Sequence, residues 1–199
     1  MNKLMLTGLM MLAGLSAIGA EPAVGNAAPD FVLPDINGAT IRLADFKGKT
    51  IVLEWTNYEC PFVKKHYDGG NMQELQKTYT GKGVTWLTIS SSADGKQGFF
   101  DAETWKKMAA AKKAASTAIL LDRDGAVGHL YGAKTTPHMF VIDDKGILVY
   151  KGAIDDKASV EAATLKDAKH YVTLALDAVL AGKAVETPET APYGCSVKY

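Results

Sequence analysis

The chain has 199 residues, 47% of them hydrophobic, which is enough for one well-filled core and short for two domains. Its 22 basic residues balance 22 acidic ones, so net charge draws it neither to nucleic acid nor to an anionic membrane surface. Its two cysteines, Cys60 and Cys195, lie far apart in the sequence.

Residues 1–20 read as a secretory signal peptide. Lys3 gives a short basic start, Leu4 to Ile18 is apolar apart from small or hydroxyl residues, and Gly19-Ala20 is a small-residue exit. The stretch is too short for a good membrane span. Cleavage after Gly19 or Ala20 is expected, with an uncleaved anchor as the alternative. Export places the protein in a periplasmic or secreted setting, where an even pair of thiols can form a lasting disulfide. The expected organisation is a domain over residues 21–182 and a tail over 183–199 that carries the second cysteine.

Beyond the leader, Phe31-Val32-Leu33 and Thr40–Leu43 flank Asn37-Gly38, a pair that accepts the positive φ angles of a tight hairpin turn. Thr50–Trp55 is largely apolar on both faces, as a central strand covered on either side would be. Pro61 suits the first position of a helix, where its missing N–H costs nothing. Phe62, Val63 and Tyr67 give that helix an inward face. Gly69-Gly70 should interrupt it, and Asn71-Met72-Gln73-Glu74 reads as a capping box that restarts it. Val84–Ser90 is the next strand, and Asp101 caps a helix through Trp105 and Met108.

Ala118–Leu121 is a short strand, followed by the turn Asp122–Gly125 and a helix over Val127–Tyr131. His138–Ile142 and Ile147–Gly152 form a hairpin, and a last helix is expected over Ser159–Ala181 with Gly182 at its end. This order predicts an α/β domain with a central mixed β-sheet, two helices on each side or nearly so, an N-terminal hairpin and a C-terminal extension.

A thiol is a weak nucleophile until it ionises, and a helix N-terminus lowers its pKa through unpaired N–H groups and the helix dipole. Cys60 stands at such a place, between a buried strand and Pro61, and crevices in open α/β sheets lie at the carboxyl ends of strands. The plainer reading is a buried cysteine acting as a small hydrophobe. Ile51–Tyr67 together with Leu120–Gly152 resembles the thioredoxin-like superfamily in its redoxin or peroxiredoxin-like branch (alkyl hydroperoxide reductase and thiol-specific antioxidant). The second block carries most of the likeness: Leu120-Leu121-Asp122-Arg123-Asp124-Gly125, Tyr131-Gly132-Ala133, Thr135-Thr136-Pro137-His138-Met139-Phe140-Val141-Ile142-Asp143 and Lys145-Gly146. The resemblance implies a thioredoxin-like fold over about residues 28–181. It also implies a cis Pro137 that, with the Thr136 backbone, faces the reactive thiol.

Two departures shape what the resemblance implies. Cys60-Pro61-Phe62-Val63 puts Val63 where a Cys-x-x-Cys reductase has its second thiol, so a local dithiol cycle is excluded. The proline, the Thr or Ser and the arginine of a peroxiredoxin site are missing too: Leu53 and Asn57 occupy the first two places, and Arg42 and Arg123 are the only arginines. The remaining thiol is Cys195. About 13 residues beyond Gly182, at roughly 3.3 Å each, span about 40 Å, which is enough to reach Cys60.

The pair can serve as a fixed staple or as a cycle in which oxidised Cys60 is resolved by Cys195, and an intermolecular bond stays open. Trp55, Asn57, Pro61 and His138 are the candidate substrate contacts. The expected activity is that of an exported thiol oxidoreductase using thiol-disulfide exchange or peroxide reduction, without a bound organic cofactor. Its expected partners are a protein thiol, a disulfide or a peroxide, with an external thiol as reductant. The alternatives are a non-catalytic binding module with a structural disulfide, or a copper carrier. A copper carrier would use Cys60, Cys195, His138 and Met139 as soft ligands, although thioredoxin-like copper-delivery proteins carry paired cysteines in the first motif.

Overall fold

The apolar run after Thr50 becomes strand β3 (Ile51–Trp55), with every residue buried. It lies in the middle of the main sheet in the computed structural model, which describes residues 21–199. The expected signal peptide, residues 1–20, lies outside the described residues. The sheet has five strands in the order β5-β4-β3-β7-β8. Strands β4 (Thr85–Ser90) and β5 (Ala118–Leu121) run parallel to β3, while β7 (His138–Ile142) runs antiparallel to it and pairs with antiparallel β8 (Leu148–Gly152). This is the expected mixed sheet.

The hairpin around Asn37-Gly38 is present as β1 (Val32–Pro34) and β2 (Thr40–Arg42). Gly38 takes a φ of 85°, and the Asp35 carboxylate accepts from the N–H groups of Asn37 and Ala39 across the turn. The hairpin caps one sheet edge, where the Ile36 N–H donates to the Ile119 carbonyl. The opposite edge, β8, is covered by residues 25–28 and by the tail, whose Thr190 N–H donates to the Lys151 carbonyl. Both edges are thereby closed to pairing with other chains.

Helices α1 (Pro61–Asp68), α2 (Asn71–Gly81), α3 (Ala102–Ala111) and α5 (Tyr171–Leu180) feed one apolar cluster with Val52, Trp86, Val141 and Tyr150. On the other face α4 (Ala126–Tyr131) packs with the hairpin around Leu53, Trp55 and Phe140. The expected even split of helices is therefore corrected. Successive right-handed crossovers from β3 to β4 to β5 place α1, α2 and α3 on one face, and the chain changes face only when it steps back past β3 to β7.

Two local expectations are corrected as well. The last helix begins at Tyr171, not Ser159: residues 162–167 form a 3-10 turn in a loop closed at its base by Asp156, whose carboxylate accepts from the Lys169 N–H at 2.9 Å. Val160 is 45% exposed and supplies no buried stripe. Helix α2 does restart after the glycines, but its N-cap is Gly70 in the left-handed region, with no side-chain cap. Asn71 instead donates to His66 Nδ1 at 2.8 Å. Asp101 caps α3 through the Thr104 N–H at 2.7 Å, and Gly182, with φ of 67°, follows the last residue of α5's terminus, both as expected.

Candidate active site

Cys60 is the N-cap of α1, with Pro61 exposed at the first helical position. Asn57 shapes the approach to it. Its carbonyl accepts from the Cys60 N–H at 2.9 Å, its Oδ1 accepts from the Glu59 N–H at 2.9 Å, and its Nδ2 donates to Gln97 O at 3.3 Å. Asn57 thus builds the loop that presents the thiol, with both polar ends of its side chain engaged.

Facing Cys60 is the short strand β6 (Thr135–Thr136), followed by a cis bond between Thr136 and Pro137. The tail returns here as β9 (Cys195–Ser196), antiparallel to β6 with Cys195 opposite Thr136. The two sulfurs, 135 positions apart in sequence, lie 2.7 Å from one another, beyond the bonded separation of about 2.05 Å. Both cysteines are free thiols in this structure. Cys60 Sγ also lies 3.1 Å from the Thr136 carbonyl oxygen. Gly194 permits this approach: at its φ of 135° a Cβ would sit 2.1 Å from that same oxygen.

The two thiols are electrostatically unequal. Burial pushes Cys60 up, yet hydrogen bonds from the Cys195 thiol and from the Val63 and Cys195 backbones hold it below its ordinary value. The Thr136 carbonyl can only accept, so it favours the protonated sulfur and the anion depends on those donors. Cys195 is pushed up to about 11 by burial, then by its hydrogen bond and charge contact with Cys60. Cys60 is therefore the first of the pair to lose its proton and Cys195 the second.

Anchors on either side of Cys195 fix the tail. Upstream, the Tyr193 hydroxyl donates to Asp155 Oδ1 at 2.5 Å and lies 3.2 Å from both Lys65 Nζ and His66 Nε2. The Lys65 and Asp155 side chains have no solvent exposure, with Nζ 3.7 Å from Oδ2. Burial takes His66 down to about 3, so its imidazole is neutral, accepting from Asn71 at Nδ1 and donating from Nε2 to Tyr193. The Tyr193 ring also packs on Phe62, two residues after Cys60. Downstream, Tyr199 stacks on His129 at 3.9 Å and its hydroxyl donates to Ala133 O at 2.8 Å.

The structure thus brings Cys60, Cys195, Thr136 and Pro137 together. Trp55 and His138 stand elsewhere. They are paired in register across β3 and β7, buried at 0% and 4% exposure, and packed with Phe140 on the face opposite the Cys60 cluster. Trp55 donates to Ser91 Oγ at 2.9 Å, and His138 Nδ1 accepts from the Lys134 N–H. Alternation along a strand explains this, since odd positions of β3 and even positions of β7 share that face. Among the described residues no three His, Cys, Asp or Glu side chains converge as metal ligands, so His138 does not complete a soft-ligand set with the cysteines.

Sequence reasoning missed Lys65, Asp155, Tyr193 and Glu54. Glu54 is fully buried under four donors, Trp86 Nε1, Gln76 Nε2, Tyr67 OH and Thr88 Oγ1, at 2.8 to 3.2 Å. Its carboxyl is pushed up by burial against the pull of those bonds. A glutamate inside an otherwise apolar strand was the available signal for it. For Tyr193, the signal was an aromatic residue two positions from a tail cysteine.

Known proteins resemble this chain over most of its length. The thiol-disulfide oxidoreductase ResA of Geobacillus thermodenitrificans is 30% identical over 124 residues, 62% of this chain and 66% of that protein. The protein of the same name from Geobacillus kaustophilus is 27% identical, covering 73% of this chain and 84% of its own length. A hypothetical protein from Sinorhizobium meliloti superimposes with a TM-score of 0.76 at 28% identity, covering 90% of this chain and 96% of that one. The AhpC/TSA family matches residues 24–151. The chain belongs to the AhpC/TSA family, among the thioredoxin-like thiol oxidoreductases.

Proposed function

We propose that this is an exported thiol-disulfide oxidoreductase that alternates between a Cys60–Cys195 disulfide and the corresponding dithiol. Residues 21–182 form the redoxin domain, and the tail supplies the second thiol. The observation that carries the reading is the 2.7 Å approach of a domain sulfur and a tail sulfur 135 positions apart in the sequence. The Thr136 carbonyl lies against Cys60, and Pro137 follows it through the cis bond.

In the oxidising direction the Cys60 thiolate attacks a disulfide or peroxide. A disulfide gives a mixed disulfide on Cys60 and releases a thiolate. A peroxide gives a sulfenic acid and an alcohol or water. Cys195 loses its proton and attacks the Cys60 sulfur, closing the internal disulfide and expelling the second thiolate or, from the sulfenic acid, water. Two external thiols, or one dithiol, reopen the bond: they supply two electrons and leave as a disulfide. No organic cofactor takes part in these steps, and the neutral sum of charges fits partners chosen by sulfur chemistry.

Among the described residues no helix is long and apolar enough to cross a membrane. The basic-apolar-small pattern of residues 1–20 supports export, and export supports disulfide use.

One observation favours a second reading, a purely structural disulfide: Cys60 has no solvent exposure beneath the tail. Equilibration with a glutathione redox buffer, followed by acid quench, alkylation and mass analysis, separates the two. A cycling pair gives a reduction potential within the exchangeable range. A value below about −300 mV sinks the proposal in favour of a staple.

A further inference from the structure

The buried socket that holds Tyr193 has a charge balance that one proton would upset. Helix α1 carries Cys60 at its N-cap and, about one and a half turns further on, Lys65 and His66. Both side chains are closed to solvent, as is that of Asp155. Lys65 Nζ donates to the Lys157 carbonyl at 2.7 Å and stands 3.7 Å from Asp155 Oδ2, so one ammonium and one carboxylate cancel. His66 completes the socket as a neutral ring. Its Nδ1 accepts from Asn71 on α2, and its Nε2 donates to the Tyr193 hydroxyl at 3.2 Å. His170, the N-cap of α5, is the other titratable group near it.

The tail's share of the socket is the Tyr193 phenol. Its hydroxyl donates to Asp155 Oδ1, which leaves two lone pairs to receive Lys65 and His66. Two residues on, past Gly194, comes Cys195. Cys60 has no solvent exposure while the tail is docked, so the external disulfide of the cycle meets it only when the tail lifts.

A proton on His66 undoes this arrangement in two ways. It takes the Nδ1 lone pair that accepts from Asn71, and it puts a second cation into a closed socket that has one carboxylate. Asp155 Oδ2, 3.9 Å from Nε2, attracts that cation, but burial outweighs the attraction, and Lys65 and His170 add repulsion. Lifting the phenol away lets water hydrate the extra charge.

We propose that His66 is a positioning residue for the dithiol cycle, on which this role rests: as a neutral imidazole it grips Tyr193 and keeps Cys195 over Cys60, and on taking up a proton it releases the tail and opens Cys60 to external sulfur. The docked state refuses the proton and the undocked state accepts it. Docking is therefore at full strength above the ordinary imidazole value of about 6.5 and weakens as pH falls below it. Between pH 7.5 and 5, where exposed carboxylates stay ionised, the loss comes to about thirtyfold.

The test follows the reduced full-length protein by hydrogen exchange. The Val197 amide, which donates to Lys134 O, reports docking. Its protection factor, corrected for intrinsic exchange at each pH, should fall about thirtyfold from pH 7.5 to 5 while the amides of β3 and β4 hold steady. His66→Gln keeps a neutral donor that does not titrate, so it should keep the tail protected and flatten the fall. Flat protection in the wild type, or an equal fall in His66→Gln, overturns the proposal. A second measurement needs no folded His66 variant, because coupling is reciprocal. Tyr193→Phe, by loosening docking about tenfold, should raise the pH at which the His66 ring titrates in NMR spectra by about one unit, and an unmoved titration also overturns the proposal. Equilibration with glutathione keeps the two readings apart. A pH-sensitive tail over an inert disulfide upholds the release and overturns the cycle, whereas a cycling pair under a tail with flat protection does the reverse.

Discussion

At Cys60 burial and hydrogen bonding oppose one another, and the bonding wins because the donors converge on one sulfur. The foremost donor is the Cys195 thiol, so each sulfur sets the other's acidity and the pair titrates in two steps. The lower step should fall below the ordinary thiol value, with the second near 11. Because the thiolate form grows as pH rises, nucleophilic reactivity of the reduced protein should switch on through the lower step. Ultraviolet thiolate absorbance against pH measures both. In Cys195→Ala the largest lowering contact is gone and burial is left less opposed, so the single remaining step should move upward. A lower step unmoved in that variant would show that the tail thiol does not hold the proton.

Among the elements, the parts set by local chemistry were legible in the sequence. The Asn37-Gly38 hairpin, the Pro61 helix start and the Asp101 cap each depend on a few adjacent residues, and each is where the pattern put it, whereas the cis Pro137 was implied by the family resemblance. The tail latch was not legible, because Lys65 reads as an ordinary solvated helix residue until Asp155 and Tyr193 arrive from distant parts of the chain. The false start of the last helix has a similar cause: Val160 and Ala163 keep helical spacing, but the Asp156 side chain competes for the backbone and holds a loop.

The latch makes its own prediction. Tyr193→Phe keeps the ring on Phe62 and removes only the hydroxyl shared by Asp155, Lys65 and His66. One buried hydrogen-bonded group is typically worth about 1 to 3 kcal/mol. That energy should appear as looser docking of the tail, lowering the effective concentration of Cys195 at Cys60 by roughly tenfold. The glutathione equilibrium reads this directly, and an unchanged equilibrium would mean that Tyr193 is not what positions the tail.

For the whole molecule, the disulfide and the docked tail combine into one measurable quantity. A bond between Cys60 and Cys195 closes a loop spanning 135 positions, for which the chain-entropy argument gives up to about 5 kcal/mol through restriction of the unfolded chain. That gain survives only if the folded state needs little reordering to form the bond. Here the free thiols already face each other, and β9 already pairs with β6. Oxidation should therefore act mainly on the unfolded state and raise the unfolding midpoint by roughly 10 to 20 °C for a domain of this size. If the tail were undocked in the reduced protein, ordering it on oxidation would cost about 1 to 2 kcal/mol of backbone entropy per residue and cancel most of the gain. Calorimetry of the oxidised and reduced forms decides between these cases. A rise of only a few degrees would place the reduced tail off the domain and remove the preorganisation on which rapid closure of the disulfide depends.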